Sequence, residues 1–157
     1  MEIQYLSLYN LIEEHIEFRE KIVKSYIQLI QQLSNTTNYD LNRFEKNLDL
    51  IHKSGIIYIA YYNLPNHDDF MIVGSGTCYI EPKIIHDYMN VGHIEDIVIH
   101  TKYRGQGIAK NILDNLKNYA ENKNCYKIIL DCNEELVKMY IKYEYKVKGV
   151  HMAIYFC

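Results

Sequence analysis

The chain has 157 residues, is 48% hydrophobic and carries a formal net charge of -3. That length and apolar content fit one domain, 1–157, with a core of its own. The acidic balance argues against broad nucleic-acid binding, which leans on basic surface. The longest apolar runs are strand-length, so no membrane span is expected.

Met1-Glu2-Ile3-Gln4 lacks the basic-then-apolar order of a signal peptide. Cys78, Cys125, Cys132 and Cys157 form no Cys-x-x-Cys pair. No metal site is therefore expected, and reduced thiols in a cytoplasmic setting are.

In chain order, Glu2 to Leu8 alternates as a first strand would. From about Asn10 to Leu33, Ile12, Ile16, Ile22, Val23, Tyr26, Ile27 and Ile30 recur at helical spacing. The polar cluster Ser34 to Asn38 breaks that run. Asp40 can cap a second helix, Leu41 to Lys53, closed by Gly55. Ile56 to Tyr62 and Phe70 to Ile80 read as a hairpin, turned at Asn63 to Asp69 around Pro65. Glu81 to Asn90 is a connection, with Pro82 stopping the strand.

Gly92 to His100 is a β-branched run with Glu95 and Asp96 set into it. Thr101 to Lys110 is a basic turn bearing Gly105 and Gly107, and an amphipathic helix follows from Ile108 to Asn122. Tyr126 to Cys132 contains the continuous apolar run Ile128-Ile129-Leu130 of a covered strand. A short helix runs from about Asn133 to Tyr143. Lys146 to Val150 and Met152 to Phe156 read as closing strands. Two helices, an antiparallel meander, then strand-helix-strand-helix make an α/β or α+β layout.

Strand, glycine loop and helix in that order can hold a phosphorylated ligand, because loop N–H groups and the helix N-terminus converge on the anion. The loop has neither the Walker lysine-hydroxyl pair nor the three-glycine Rossmann spacing. Glu95 and Asp96 remain open to two readings. Adjacent strand residues face opposite sides, so one acid is exposed and the other pairs with His93 or a lysine. Alternatively a bulge turns both toward one site.

Arg104-x-x-Gly107-x-Ala109 resembles the acetyl-CoA loop of the GNAT acetyltransferases. Gly92-His93-Ile94-Glu95-Asp96-Ile97-Val98, the Arg104 loop, Cys125-Tyr126-Lys127-Ile128-Ile129-Leu130-Asp131-Cys132 and Val137-x-x-Tyr140 occur in this order and spacing. Together they resemble the eukaryotic-type glucosamine-6-phosphate N-acetyltransferase family, over roughly residue 30 to the end. The resemblance implies a GNAT fold: a mixed, mostly antiparallel sheet, splayed at its central strand and flanked by helices. It also implies a homodimer acting on an amino-sugar phosphate.

The resemblance further implies that acetyl-CoA lies along Ile97, Val98, Ile99 and the loop Arg104, Gly105, Gln106, Gly107, Ile108, Ala109 and Lys110. Ile97 N–H would face the thioester oxygen, where a donor aimed at developing charge lowers the barrier. Glu95 would accept the ammonium proton, with Asp96 as the alternative. Tyr140, which by itself reads as a core aromatic, would by the resemblance protonate the departing thiolate. Such enzymes form no acyl-enzyme, so Cys132 reads as packing. Asp131 would bind the sugar, as would Glu95 and Asp96, while Ser34, Lys83, Ile84, Ile85, His86, Tyr126 and Lys127 would line the sugar-phosphate pocket. From the residues alone, Lys83 and Lys127 read as surface lysines, Ser34 as a helix stop, and His86, His93, His100 and His151 as surface or packing residues.

The chain departs from that family twice. Tyr155 stands where an arginine reaches the phosphate across a dimer interface, and Leu136 stands where an asparagine opens the turn before the tyrosine. Neither touches the thioester chemistry, and both bear on the amine. The other readings are a GNAT enzyme for a protein N-terminus, a polyamine or another amino sugar, and a non-catalytic acyl-CoA-binding module.

Overall fold

A computed structural model describes residues 2–34, 39–64 and 69–156. The expected helix break at 35–38 and hairpin turn at 65–68 lie outside the described residues, as does Cys157. Strand β1 (Gln4–Ser7) runs straight into helix α1 (Leu8–Glu14), because the Ser7 hydroxyl caps it by accepting the Asn10 N–H at 3.1 Å.

The single helix expected from Asn10 to Leu33 is two helices. A 3-10 turn, Ile16–Phe18, separates α1 from α2 (Arg19–Ile30), and Ile16 is left 52% exposed. On one continuous helix Ile22 would sit roughly 80° round from Ile12, at about 100° per residue. The break re-aims the second stripe, so both Ile12 and Ile22 are buried. Asp40 caps α3 (Leu41–Ser54) as expected, its Oδ1 accepting the Arg43 N–H at 2.7 Å. Gly55, expected to close α3, is instead the first residue of the next strand, in extended backbone.

Strands β2 (Gly55–Asn63), β3 (Phe70–Pro82) and β4 (Asn90–Ile99) form an antiparallel meander with β1 on its outer side. Helix α4 (Ile108–Asn122) crosses over to β5 (Cys125–Leu130), which pairs parallel to β4. The sheet order is β1-β2-β3-β4-β5, mixed and mostly antiparallel. Leu8, Leu11, Ile22 and Leu29 pack with Ile57, Ile59 and Ile72 on one face. Ile112, Leu116 and Ala120 of α4 pack with Val73, Cys78 and Ile94 on the other. The result is three layers, helix on sheet on helix.

Helix α5 (Glu134–Lys142) follows β5, with Asn133 at its N-cap. The closing strands expected at Lys146 to Val150 and Met152 to Phe156 do not form. A strand needs a neighbour to receive its backbone bonds, and among the described residues no strand pairs with the tail. Val147, Val150, Met152, Ile154, Tyr155 and Phe156 are 70–95% exposed. Among the described residues the outer edge of β5 has no strand partner, and a cavity of about 810 Å³ lies between it, α5 and the tail.

Candidate active site

The centre of the site is a defect in β4. Ser75 pairs with Val98 and Thr77 with Glu95, so β4 spends one residue more than β3 over that interval. Asp96, at φ +53°, lies within that interval. Such a bulge reverses the alternation of everything beyond it. Ile94 faces α4, Ile97 and Ile99 face α4 as well, and Val98 joins the opposite core. Pairing with β5 ends at Ile94–Leu130, while β4 continues to Ile99. Beyond that point the sheet is parted, and among the described residues no strand pairs with the β5 side of β4.

The loop follows at once. His100 donates its N–H to the Val73 carbonyl at 2.9 Å, Thr101 N–H donates to Gln32 Oε1 at 3.1 Å, and Arg104 Nε donates to the Ile99 carbonyl at 3.2 Å. These bonds tie the turn to β3, to the residues just after α2 and to the end of β4. Gly105 and Gly107 take φ of +77° and +79°, a region costly for any residue with a Cβ. A Cβ built on either would meet nothing within 4 Å, so the backbone there opens onto free space. Gly107 caps α4, and the first bond back to it is Asn111 N–H to its carbonyl, at 3.1 Å. The N–H groups of Ile108, Ala109 and Lys110 therefore precede the helical ladder and face outward with the positive end of the helix. Free N–H groups at a helix start of this kind can take an anion.

Glu95, Asp96 and Asp131 gather where the sheet parts. Glu95 follows Ile94 and Asp131 follows Leu130, the last matched pair of β4 and β5. Desolvation, then the Asp96 and Asp131 carboxylates, raise the Glu95 carboxyl above its ordinary range, against the pull of His93 and His151. A carboxyl so raised is a better proton acceptor when ionised. Tyr140 is 6% exposed and lines the cavity together with Asp131 and Cys132. Burial, then Cys132 and Tyr143, raise its phenol, which keeps it protonated and able to donate. Tyr145 meets it edge-on, ring centroids 5.6 Å apart, and donates its N–H to the Tyr140 carbonyl at 3.1 Å.

The residues expected to line the sugar-phosphate pocket divide. His86 lies tilted against Tyr126, 4.2 Å between centroids, and Lys127 Nζ lies 5.4 Å over the same ring. His86 and the next two residues, Asp87 and Tyr88, all have positive φ, a strained left-handed turn. Ile84 and Ile85 beside it are exposed. This group sits at the start of β5, about 16 Å along the strand from Asp131. Lys83 is held in an ion pair by Glu81. Ser34 ends the turn after α2 with its N–H on the Ile30 carbonyl, and is exposed.

One residue departs from the sequence reading, and two histidines make contacts that it did not assign. Cys132, taken as packing, is exposed at the sheet edge. His151, on the tail, reaches Asp131 with Nδ1 2.9 Å from Oδ2. His93, taken as surface or packing, binds Glu81 at 2.7 Å. Its period-2 spacing from Glu95 puts both on one strand face, and that signal was available in the sequence.

The family model described as "Acetyltransferase (GNAT) family" matches residues 17–145. Glucosamine 6-phosphate N-acetyltransferase 1 of Dictyostelium discoideum is 33% identical over 150 residues, covering 93% of this chain and 94% of that protein. A probable glucosamine 6-phosphate N-acetyltransferase 2 of Oryza sativa subsp. japonica is 32% identical over 136 residues, covering 85% and 81%. The crystal structure of glucosamine-6-phosphate N-acetyltransferase from Arabidopsis thaliana superposes with a TM-score of 0.83 at 25% identity, over 100% of both chains.

Proposed function

The chain belongs to the GNAT acetyltransferase family, and from that premise we propose that it transfers the acetyl group of acetyl-CoA to the 2-amino group of glucosamine 6-phosphate. The products are N-acetylglucosamine 6-phosphate and CoA. The observation that carries the amine is the likeness to glucosamine 6-phosphate N-acetyltransferases over nearly the whole chain. The parted sheet beside an αL-capped loop and helix supports the thioester half of the reaction.

In this reading the loop N–H groups from Arg104 to Lys110 and the start of α4 take the diphosphate. The acyl end extends along Ile97 to Ile99, and the Ile97 N–H receives the charge that develops on the carbonyl oxygen. Glu95 removes a proton from the sugar ammonium, freeing the lone pair that attacks the acetyl carbon. The carbon–sulfur bond then breaks, and the thiolate takes the Tyr140 proton. Asp131 holds the sugar, and the acid beside Glu95, Asp96, is the second candidate for the base.

The reading also makes the enzyme a homodimer that feeds UDP-N-acetylglucosamine synthesis in the cytosol. What supports the dimer is an apolar tail exposed from Val147 to Phe156 beside an unpaired strand edge. Sedimentation should give twice the 18.7 kDa chain mass. A monomer at micromolar concentration rejects it.

Tyr155 and Leu136 keep a second amine in play. Thiol release with glucosamine 6-phosphate, set beside unphosphorylated glucosamine and a panel of peptides and polyamines, tests the assignment. A marked preference for the phosphorylated sugar is expected, and a preference for any other amine overturns it.

A further inference from the structure

Strand register lays rows of side chains across the sheet face that carries Glu95. Thr77 stands opposite Glu95, Tyr79 opposite His93 and Glu81 opposite Val91, while β5 sets Ile129 beside His93 and Lys127 beside Val91. Residues two apart on a strand share a face at about 6.5 Å separation, so His93 is the neighbour of Glu95 along β4. His93 Nε2 lies 2.7 Å from Glu81 Oε2, and Lys83 holds the other oxygen of the same carboxylate.

Lys83 and His93 keep Glu81 below the usual carboxylate range, so it is ionised and only accepts. The Nε2 of His93 must then carry the hydrogen, and in the neutral ring Nδ1 is left as the acceptor. A carboxylate that fixes one imidazole nitrogen and frees the other is the arrangement that makes histidine a proton acceptor.

We propose that His93, fixed by Glu81, is a positioning residue behind Glu95 that takes over the proton Glu95 removes from the amine. The ammonium N–H bond breaks as an O–H bond forms on Glu95. That bond breaks in turn as an N–H bond forms on His93 Nδ1, and the imidazolium stays paired with the Glu81 carboxylate until the proton leaves to water. Glu95 is thereby an ionised base again for the next turnover, and no further reactant is needed. The proposal rests on Glu95 being the base of the acetyl transfer. The charged and titratable groups around His93 are Tyr79 and Glu81 on β3, Lys83 after it, Glu95 on β4 and Lys127 on β5, while Asp96, Asp131 just past β5 and His151 on the tail act on Glu95.

The test is steady-state kinetics of His93→Gln and His93→Ala, using the amine that the wild-type protein is first shown to acetylate. If glucosamine 6-phosphate fails with wild type and another amine works, the substrate assignment falls while His93 is still tested on that amine. Glutamine keeps an N–H for Glu81 and cannot titrate. His93→Gln should lower kcat about 100-fold, the scale of one lost proton-transfer group, with KM for acetyl-CoA unchanged and the pH profile of kcat altered. His93→Ala should regain turnover when imidazole is added. A wild-type kcat and pH profile in His93→Gln would overturn the proposal, as would a folded His93→Ala that imidazole does not restore.

Discussion

Ile94 and Ile97 stand three positions apart on β4, yet both turn their side chains against α4. An uninterrupted strand would send them to opposite faces. The extra residue between Thr77–Glu95 and Ser75–Val98 permits it, and Gly76 on β3 gives the room. A Cβ at Gly76 would lie 2.4 Å from Ile97 Cδ1, with Ile112 and Leu116 tips behind it at 2.9 and 3.0 Å. Gly76→Val should cost about 1–3 kcal/mol as overpacking and lower turnover with it. Thermal melting beside a thiol-release assay checks both, and a stable, fully active variant contradicts the geometry of the bulge.

Asp96 holds φ at +53°, where a short polar side chain is tolerated and a branched one is not. Asp96→Val should destabilise by about 1–3 kcal/mol. Asp96→Gly should fold normally, so its activity isolates the carboxylate from the backbone shape. Full activity in Asp96→Gly would exclude Asp96 as the base and leave Glu95.

Gly107→Ala forces a Cβ into left-handed backbone at the first turn of α4. The variant should raise KM for acetyl-CoA roughly 10-fold, about 1.4 kcal/mol of binding, and leave the amine KM near its wild-type value. Isothermal titration with CoA reads the change. Unaltered CoA affinity would place the diphosphate elsewhere.

Tyr140→Phe keeps the ring that packs on Tyr145 and removes only the hydroxyl. Turnover should fall by about 10²–10³, within the range of a lost general acid, with CoA affinity intact. Cys132 lies beside it and is exposed, whereas burial pushes the Cys78 thiol up to about 12. A maleimide should therefore label Cys132 before Cys78 and abolish activity, and Cys132→Ser should survive the treatment. Mass spectrometry of the labelled peptides decides it.

The raised Glu95 carboxyl sets the sign of the pH dependence. Catalysis needs the carboxylate, so the rate should fall as pH drops through a value above that of an ordinary glutamate. Asp131→Asn removes a neighbouring negative charge and should shift that acidic limb of kcat/KM to lower pH. For stability the sign is opposite to a paired acid. A carboxyl whose folded pKa is raised penalises the fold once pH exceeds the unfolded value, so Glu95→Gln should raise Tm at neutral pH. An unmoved limb in Asp131→Asn would separate the two acids.

How far the sequence carried varies with the physical signal. Helix α4 was legible from Ile108 to Asn122, because two glycines mark its approach and its apolar stripe is strong. The bulge was not legible from residues alone: adjacent acids on a strand read as facing opposite sides, and only the likeness to a family favoured the splayed form. The tail alternated like two strands, but alternation does not bring a segment onto a sheet edge, and a cavity separates this tail from the outer edge of β5. His93 and Glu81 lie 12 positions apart, and their contact depends on the β3–β4 register, which composition and periodicity leave undetermined. The split of the expected sugar residues between the two ends of β5 has the same origin.

The most direct measurement is a crystal structure with CoA and glucosamine 6-phosphate bound together. The diphosphate should rest on the N–H groups from Arg104 to Lys110, with the CoA sulfur beside Ile97 and Tyr140 and the sugar nitrogen within reach of Glu95. Coenzyme A lodged away from that loop, or the sugar nitrogen remote from Glu95 and Asp131, would contradict the account.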